Sequence, residues 1–196
     1  MMTGKMEHIG LKRGMVQLVP HKRAWADLYE AEAQVIRDRT GDLVSDIQHV
    51  GSTAVPGLVA KPILDIAIAV GMKEAIAGVV ERLTQAGYND YGDQGKDGGY
   101  LLGRETAGDI CVAHLHIVET ADPQWRNYIA FRDILRHDRS IRRAYADLKK
   151  RLSAQFPDDR VSYTAGKDEF IQDVLRKHGE TLLQDENPPS ASGAVM

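Results

Sequence analysis

The stretch 63–70, ILDIAIAV, is apolar at every position except Asp65. A strand with that pattern is covered on both faces, so the chain must build layers on either side of it. A charge inside such a run is costly unless it is paired or bound to a cation. Material for the layers lies on both sides in sequence. Residues 22–39 place Trp25, Leu28, Ala31, Val35 and Ile36 at helical spacing, and residues 73–86 do the same with Ile76, Val79, Val80 and Leu83. Gly41 and Gly87 follow the two segments, as glycine commonly does at helix ends. Short β-prone runs at 16–19, 47–50, 100–103 and 110–118 supply further strands, the last two expected to pair antiparallel.

Residues 89–99, rich in Gly and Asp, read as loop. Beyond Asp122 the pattern becomes helical, over 124–136, 140–156 and 164–183. The expected fold class is therefore α+β, of α/β type: a mixed β-sheet flanked by helices, with a C-terminal three-helix lobe. The expected division is a loose leader at 1–14, an α/β core at 15–121, a helical part at 122–184 packed on the core, and a disordered tail at 185–196. A ligand would sit between core and lobe.

Composition narrows the function. The chain has 196 residues, with 25 Lys and Arg against 28 Asp and Glu, for a net charge of −3. That balance is small and of the wrong sign for a whole-surface polyanion binder, so nucleic acid is not an expected partner. No apolar run approaches the roughly 20 residues of a membrane span, and no signal-peptide pattern opens the chain. The single cysteine, Cys111, excludes an intrachain disulfide, and a cytoplasmic location is expected. No base stands beside Cys111 in sequence, so it is not expected to act as a nucleophile.

The most informative stretch is 47–70, IQHVGSTAVPGLVAKPILDIAIAV. A short strand ends at Val50, Gly51 and Ser52 turn the chain, and a second strand carries Asp65 near its start. Glycine lets a phosphate approach the backbone, and the serine hydroxyl with neighbouring N–H groups can bind its oxygens. A carboxylate on the next strand is then placed to hold Mg²⁺ against that phosphate.

The run HVGSTAVPGLVAKPILDI resembles the signature of the GrpB-like proteins, a branch of the nucleotidyltransferase-fold superfamily. The resemblance extends to VQLVPHKRAW, HLHIV, FRDILR, YADLKKRL and YTAGKDEFI, covering about residues 16–175. It implies a minimal nucleotidyltransferase fold with a helical C-terminal part. By that resemblance the chain is expected to bind a nucleoside triphosphate with a divalent metal, Mg²⁺ arriving with the nucleotide. It would transfer a nucleotidyl group to a small-molecule acceptor, or activate that acceptor for ligation.

Two departures stand out. The superfamily pattern has a second acidic residue two positions after the first and a third carboxylate on a later strand. Here Ala67 takes the second position, and 110–118 contains His114 and His116 in place of a carboxylate. The two histidines share one face of their strand. Three readings follow. Asp65 and substrate phosphates hold one ion, with His114 and His116 contacting phosphate or serving as acid and base. Alternatively Asp65, His114 and His116, with His49 as a further candidate, bind zinc or iron, which imidazole favours over magnesium. In the third, the histidines satisfy buried hydrogen bonds, and the protein is a nucleotide- or anion-binding module without catalysis.

Cations complete the expected site. Lys61 precedes the Asp65 strand, and Arg132 and Arg136 share a helix face with Asp133 beside them. Phosphate contact is expected of Gly51, Ser52 and Lys61, and the resemblance extends phosphate or substrate contact to Arg132, Lys149 and Lys167, whereas Lys150 and Arg151 read as solvated. Tyr145 and Tyr163 each stand four residues before a lysine, and core packing is expected for both, as for Trp25, Trp125 and Phe131.

Overall fold

The computed structural model describes residues 9–94, 99–107 and 109–186, with residues 180–186 by backbone alone. Its centre is one sheet built from β1 (Leu11–Lys12), β2 (Asp46–Val50), β3 (Leu64–Val70), β4 (Asn89–Asp93), β5 (Tyr100–Thr106) and β6 (Ile110–Glu119). The strand order is β2-β3-β6-β5-β4, with β1 beside the start of β6. The pair β3 and β6 runs parallel, and its other neighbours pair antiparallel. The sheet is therefore mixed, as the sequence leads one to expect.

Because side chains alternate across a strand, β3 splits into two sets. Ile66, Ile68 and Val70 face one way, onto α1 (Ala24–Thr40) and α2 (Ala75–Gln85), where Trp25, Ala33, Ile36, Val79 and Leu83 complete the main core. Asp65, Ala67 and Ala69 face the other way. There Ala67 and Ala69 lie with Val50, Val118 and Trp125, the last from α3 (Pro123–His137). Fully buried leucines and isoleucines contribute roughly 1.5–3 kcal/mol each relative to exposure, so the α1–α2 face holds the sheet together. The other face, thinner and edged by Asp65, is where a cavity opens.

The rest of the chain is helical: α4 (Arg139–Gln155), α5 (Arg160–Ala165) and α6 (Asp168–Glu186). The helix expected at 164–183 is thus two helices, which together begin earlier and end later than expected. Asp159 starts α5 by accepting a hydrogen bond from the Ser162 N–H, a normal N-cap. Gly166 then breaks the run where a Cβ would lie 2.6 Å from Leu152 Cδ2. Lys167 falls at this break.

Three other expectations change. The strand expected at 16–19 reduces to one bridge, Val19 with Ala60, because Val16 N–H is taken by the Pro157 carbonyl. The loop expected at 89–99 begins with β4: pairing to β5 overrides the poor β-propensity of Asn and Asp, and Gly92 sits at an irregularity in the register. Within the expected loose leader, Leu11 is buried and paired to Cys111, while residues 1–8 lie outside the described residues. Of the expected tail, residues 187–196 lie outside them too. No helix among the described residues is long and apolar enough to cross a membrane.

One polar network pins the α1 face. Glu32, buried on α1, accepts from Tyr88 Oη at 2.5 Å and pairs with Arg104 of β5. Burial first, and then the Glu32 charge, push the Tyr88 hydroxyl well above its ordinary value, so it stays a donor. Tyr88→Phe is expected to lower stability by about 1.5–3 kcal/mol, the worth of a hydrogen bond to a charged group, measured by urea unfolding.

Candidate functional site

Gly51 is the turning point between β2 and β3. Its φ of +66° lies in the left-handed region, and a Cβ there would stand 2.4 Å from Asp65 Oδ2. Only a residue without a side chain lets the backbone cross over that carboxylate. The next residues, Ser52–Ala54, form one 3₁₀ turn. Two arginines of α3 hold this segment from either side. Arg132 donates to the His49 carbonyl at 3.0 Å and to Gln48 Oε1 at 2.9 Å, and Arg136 donates to the Ala54 carbonyl at 3.0 Å. Asp133 takes the remaining edge of Arg132 at 2.7 and 3.0 Å. Arg132 is therefore placed behind the turn as a clamp on the backbone, outside the cavity lining, and not at a phosphate position.

The turn opens into a cavity of about 500 Å³, within the usual range for small-molecule sites. Its floor is Asp65 of β3 with His114 and His116 of β6, brought together by the parallel register that sets Asp65 beside His114 and Ala67 beside His116. Lys61, Lys149, Arg160 and Lys167 all line it, as do Gly51 and Ser52. The structure thus gathers the expected Gly51, Ser52, Lys61, Asp65, His114, His116, Lys149 and Lys167 around one space. Among the described lining residues, Asp65 and Asp168 are the carboxylates, so cations prevail.

His49 is not with them. It pairs with Ile66 and so points to the opposite face of the sheet, where it stacks on Tyr29 with centroids 4.7 Å apart and meets Thr53 Oγ1 at 3.0 Å. Burial lowers its pKa to about 4, so the ring is neutral. The expectation that it joins a metal set fails on this geometry.

The protonation pattern of the floor follows from its partners. Arg160 Nη2 lies 3.1 Å from His114 Nε2, and a guanidinium only donates, so that nitrogen is an acceptor. His114 Nδ1 therefore carries the proton and points it at Asp65 Oδ1, 3.4 Å away. Burial, with Arg160 and His116 adding to it, holds the His114 pKa below its ordinary value against the pull of Asp65. For Asp65, burial alone would raise the carboxyl pKa, but the polar contacts with His114 and His116 outweigh it and hold it well below the usual range. Its side chain remains 35% exposed, open to the cavity. His116 Nε2 stands 3.9 Å from Asp65 Oδ1, and its Nδ1 meets the Tyr128 hydroxyl at 3.2 Å. Cys111 Sγ lies 3.4 Å from His114 Nε2, but burial pushes its thiol up to about 11, which leaves it neutral.

These contacts test the metal readings. Both ring nitrogens of His114 are engaged, one by a cation, and no group of three or more His, Cys, Asp and Glu among the described residues is arranged to hold an ion. The donor set does not fit zinc or iron. Ala67, which stands where the second carboxylate is missing, is fully buried with Trp125 of α3 and sits beside His116 of β6.

The lysines are as constrained as the floor. Lys149 is buried at 2% exposure and donates to Ser52 Oγ at 2.9 Å and to the Val59 carbonyl. Burial, helped by Lys167 and Lys61, holds its pKa well below the ordinary lysine value. Lys61 is lowered to about 8 by burial, then by Lys167 and Arg160. Tyr145 and Tyr163, expected in the core, are both buried, yet both also line the cavity. Lys149 lies over Tyr145 at 4.9 Å, and Lys61 and Lys167 over Tyr163 at 5.3 and 4.9 Å. Arg160 and Tyr128 were not singled out by sequence. The Asp159 cap, read as a helix start, would have put Arg160 at a helix N-terminus, whereas Tyr128 had no signal of its own.

Residues 15–177 match the family model described as GrpB protein. The chain belongs to the GrpB family. It is 35% identical over 172 residues to the glutamate-rich protein GrpB of Alkalihalophilus pseudofirmus, covering 86% of this chain and 99% of that protein. The crystal structure of conserved protein GrpB from Enterococcus faecalis has the same fold, with a TM-score of 0.76 and 28% identity over 85% of this chain and 99% of that one. A dephospho-CoA kinase of Mycolicibacterium paratuberculosis is 27% identical over 190 residues, covering 85% of this chain but only 47% of that protein.

The crossing of Gly51 over Asp65 gives a sharp test. Gly51→Ala combines backbone strain, about 1–3 kcal/mol, with overpacking of similar size. A loss of about 2–5 kcal/mol in thermal or chemical unfolding is expected, and a variant as stable as the parent would contradict this geometry.

Proposed function

We propose that this GrpB-family protein binds a nucleoside triphosphate, with the phosphates against Lys61, Lys149, Arg160, Lys167 and the turn at Gly51 and Ser52. The observation that carries the reading is the convergence of four cations on one concave space beside that turn. Four positive groups crowded together repel one another, and the crowding lowers the Lys61 and Lys149 pKa values beyond what burial does. A polyanion relieves that repulsion, so the free site is poised for one.

A second reading adds catalysis: transfer of the nucleotidyl group to a small-molecule acceptor. Asp65 supports it, being held ionised and open to the cavity. One carboxylate plus substrate phosphates is enough to hold Mg²⁺, which when bound would neutralise charge developing on the phosphate. In this reading His114 keeps Asp65 oriented through its Nδ1–H, and Arg160 fixes the His114 tautomer. The lysines hold the phosphates in line and offset their charge, which carries much of such chemistry.

Calorimetry with ATP, GTP, CTP and UTP, in Mg²⁺ and in EDTA, tests both readings. Binding of at least one nucleotide, weakened tenfold or more in Lys167→Met, is expected; no binding of any would overturn the proposal. Asp65→Asn is expected to abolish the gain from Mg²⁺ while leaving binding in EDTA intact. The pH dependence follows from Lys61. It carries its charge below about pH 8 and loses it above, so affinity for inorganic tripolyphosphate falls as pH rises through that value. Lys61→Met should flatten the fall, after subtraction of the anion's own titration.

A further inference from the structure

The lining of the cavity changes character along β6. Residues two apart on one face of a strand are about 6.6 Å apart, and His114 and His116 mark such a step. Beside His114 stands Arg160. Beside His116 the ring of Tyr128 lies 5.2 Å away, centroid to centroid, and Leu101 is its partner on β5. The lining continues on α3 through the carboxamides of Gln124 and Asn127, and α6 adds that of Gln172 to the same cavity. One end of the cavity is cationic, and the other is amide-rich and aromatic.

We propose that the amide-rich end holds the nucleobase of the bound nucleotide and sets which base is accepted. The inference rests on the triphosphate reading above. A carboxamide carries a donor and an acceptor side by side and so matches the paired donor and acceptor edge of a base. Asn127 Nδ2 donates to Gln124 Oε1 at 3.3 Å, which aligns the two amides and still leaves Asn127 its Oδ1 and a second N–H. The rings nearest the lysines are already covered. Tyr145 stacks on Phe170 at 5.4 Å, meets the edge of Phe131 and lies under Lys149, while Tyr163 lies under two lysines. The lysine end is thus given over to charge, and the polar edge that a base could match lies at Asn127, beside Tyr128.

The test compares inorganic tripolyphosphate, which can use only the cationic end, with the four nucleoside triphosphates, by calorimetry on the whole chain. Tripolyphosphate is expected to bind, and one nucleotide to bind at least tenfold tighter. Asn127→Ala, and independently Gln172→Ala on a different helix, should shrink that gap about tenfold while leaving tripolyphosphate affinity unchanged. If neither tripolyphosphate nor any nucleotide binds, the reading of the lysine end falls, and this inference with it. If tripolyphosphate binds but no nucleotide binds tighter, the lysine end stands and the inference is overturned. It is overturned equally if both variants weaken tripolyphosphate as much as nucleotide.

Discussion

The approach of His114 Nδ1 to Asp65 Oδ1, at 3.4 Å, is the contact on which the rest of the site is arranged. It exists because two parallel strands place residues 65 and 114 side by side, with Arg160 fixing the imidazole from behind. A carboxylate inside an apolar strand needs such a partner. Once Asp65 is ionised and oriented, the backbone must pass over it at Gly51, and the turn that follows presents Ser52 to Lys149. The helical half of the chain is thereby tied to the sheet through polar contacts around one half-buried charge, in addition to the apolar packing of Trp125 and Tyr145.

Four cations around one or two carboxylates is an unfavourable arrangement taken by itself. Desolvation and mutual repulsion depress the lysines, and the structure tolerates this by giving each a specific neighbour. Lys149 has Ser52 Oγ and a carbonyl, Lys61 and Lys167 have the face of Tyr163, and Arg160 has an imidazole nitrogen. Sites held ready in this way answer mainly to the charge of what enters. The absence of a fitting zinc or iron donor set among the described residues is part of the same logic, since the imidazole that such an ion would need is already spent on a guanidinium.

Much of the floor was legible in the sequence because its parts lie close together along the chain. Gly51, Ser52, Lys61 and Asp65 fall within one turn and one strand, and the spacing of His114 and His116 alone fixes their common face. The positions misread are those decided by docking. Arg132 looks like an available cation until Asp133 and the carbonyl of His49 on a distant strand consume its donors. His49 lies one residue from the cavity face, and a single step along a strand reverses a side chain. The sequence 89–93 has no alternation to reveal a strand, since pairing with β5 makes it one. The break at Gly166 interrupts a helical period that continues through it, at a point where Leu152 of another helix leaves no room for a Cβ.

The contact between Gly51 and Asp65 also bears on how the family can diverge. A side chain at position 51 is blocked both by the positive φ and by the carboxylate opposite. Shrinking residue 65 to alanine removes the carboxylate but keeps its Cβ, which would lie 2.8 Å from a Cβ at 51, and it leaves the positive φ, which Asn and Asp meet more readily than other side chains. Substitutions at the two positions are therefore ordered: a lineage must give up the acid before it can alter the turn. A homologue that carries a side chain at 51 while keeping the acid at 65 should show a rebuilt loop there, and one that has lost both has no need of this crossing.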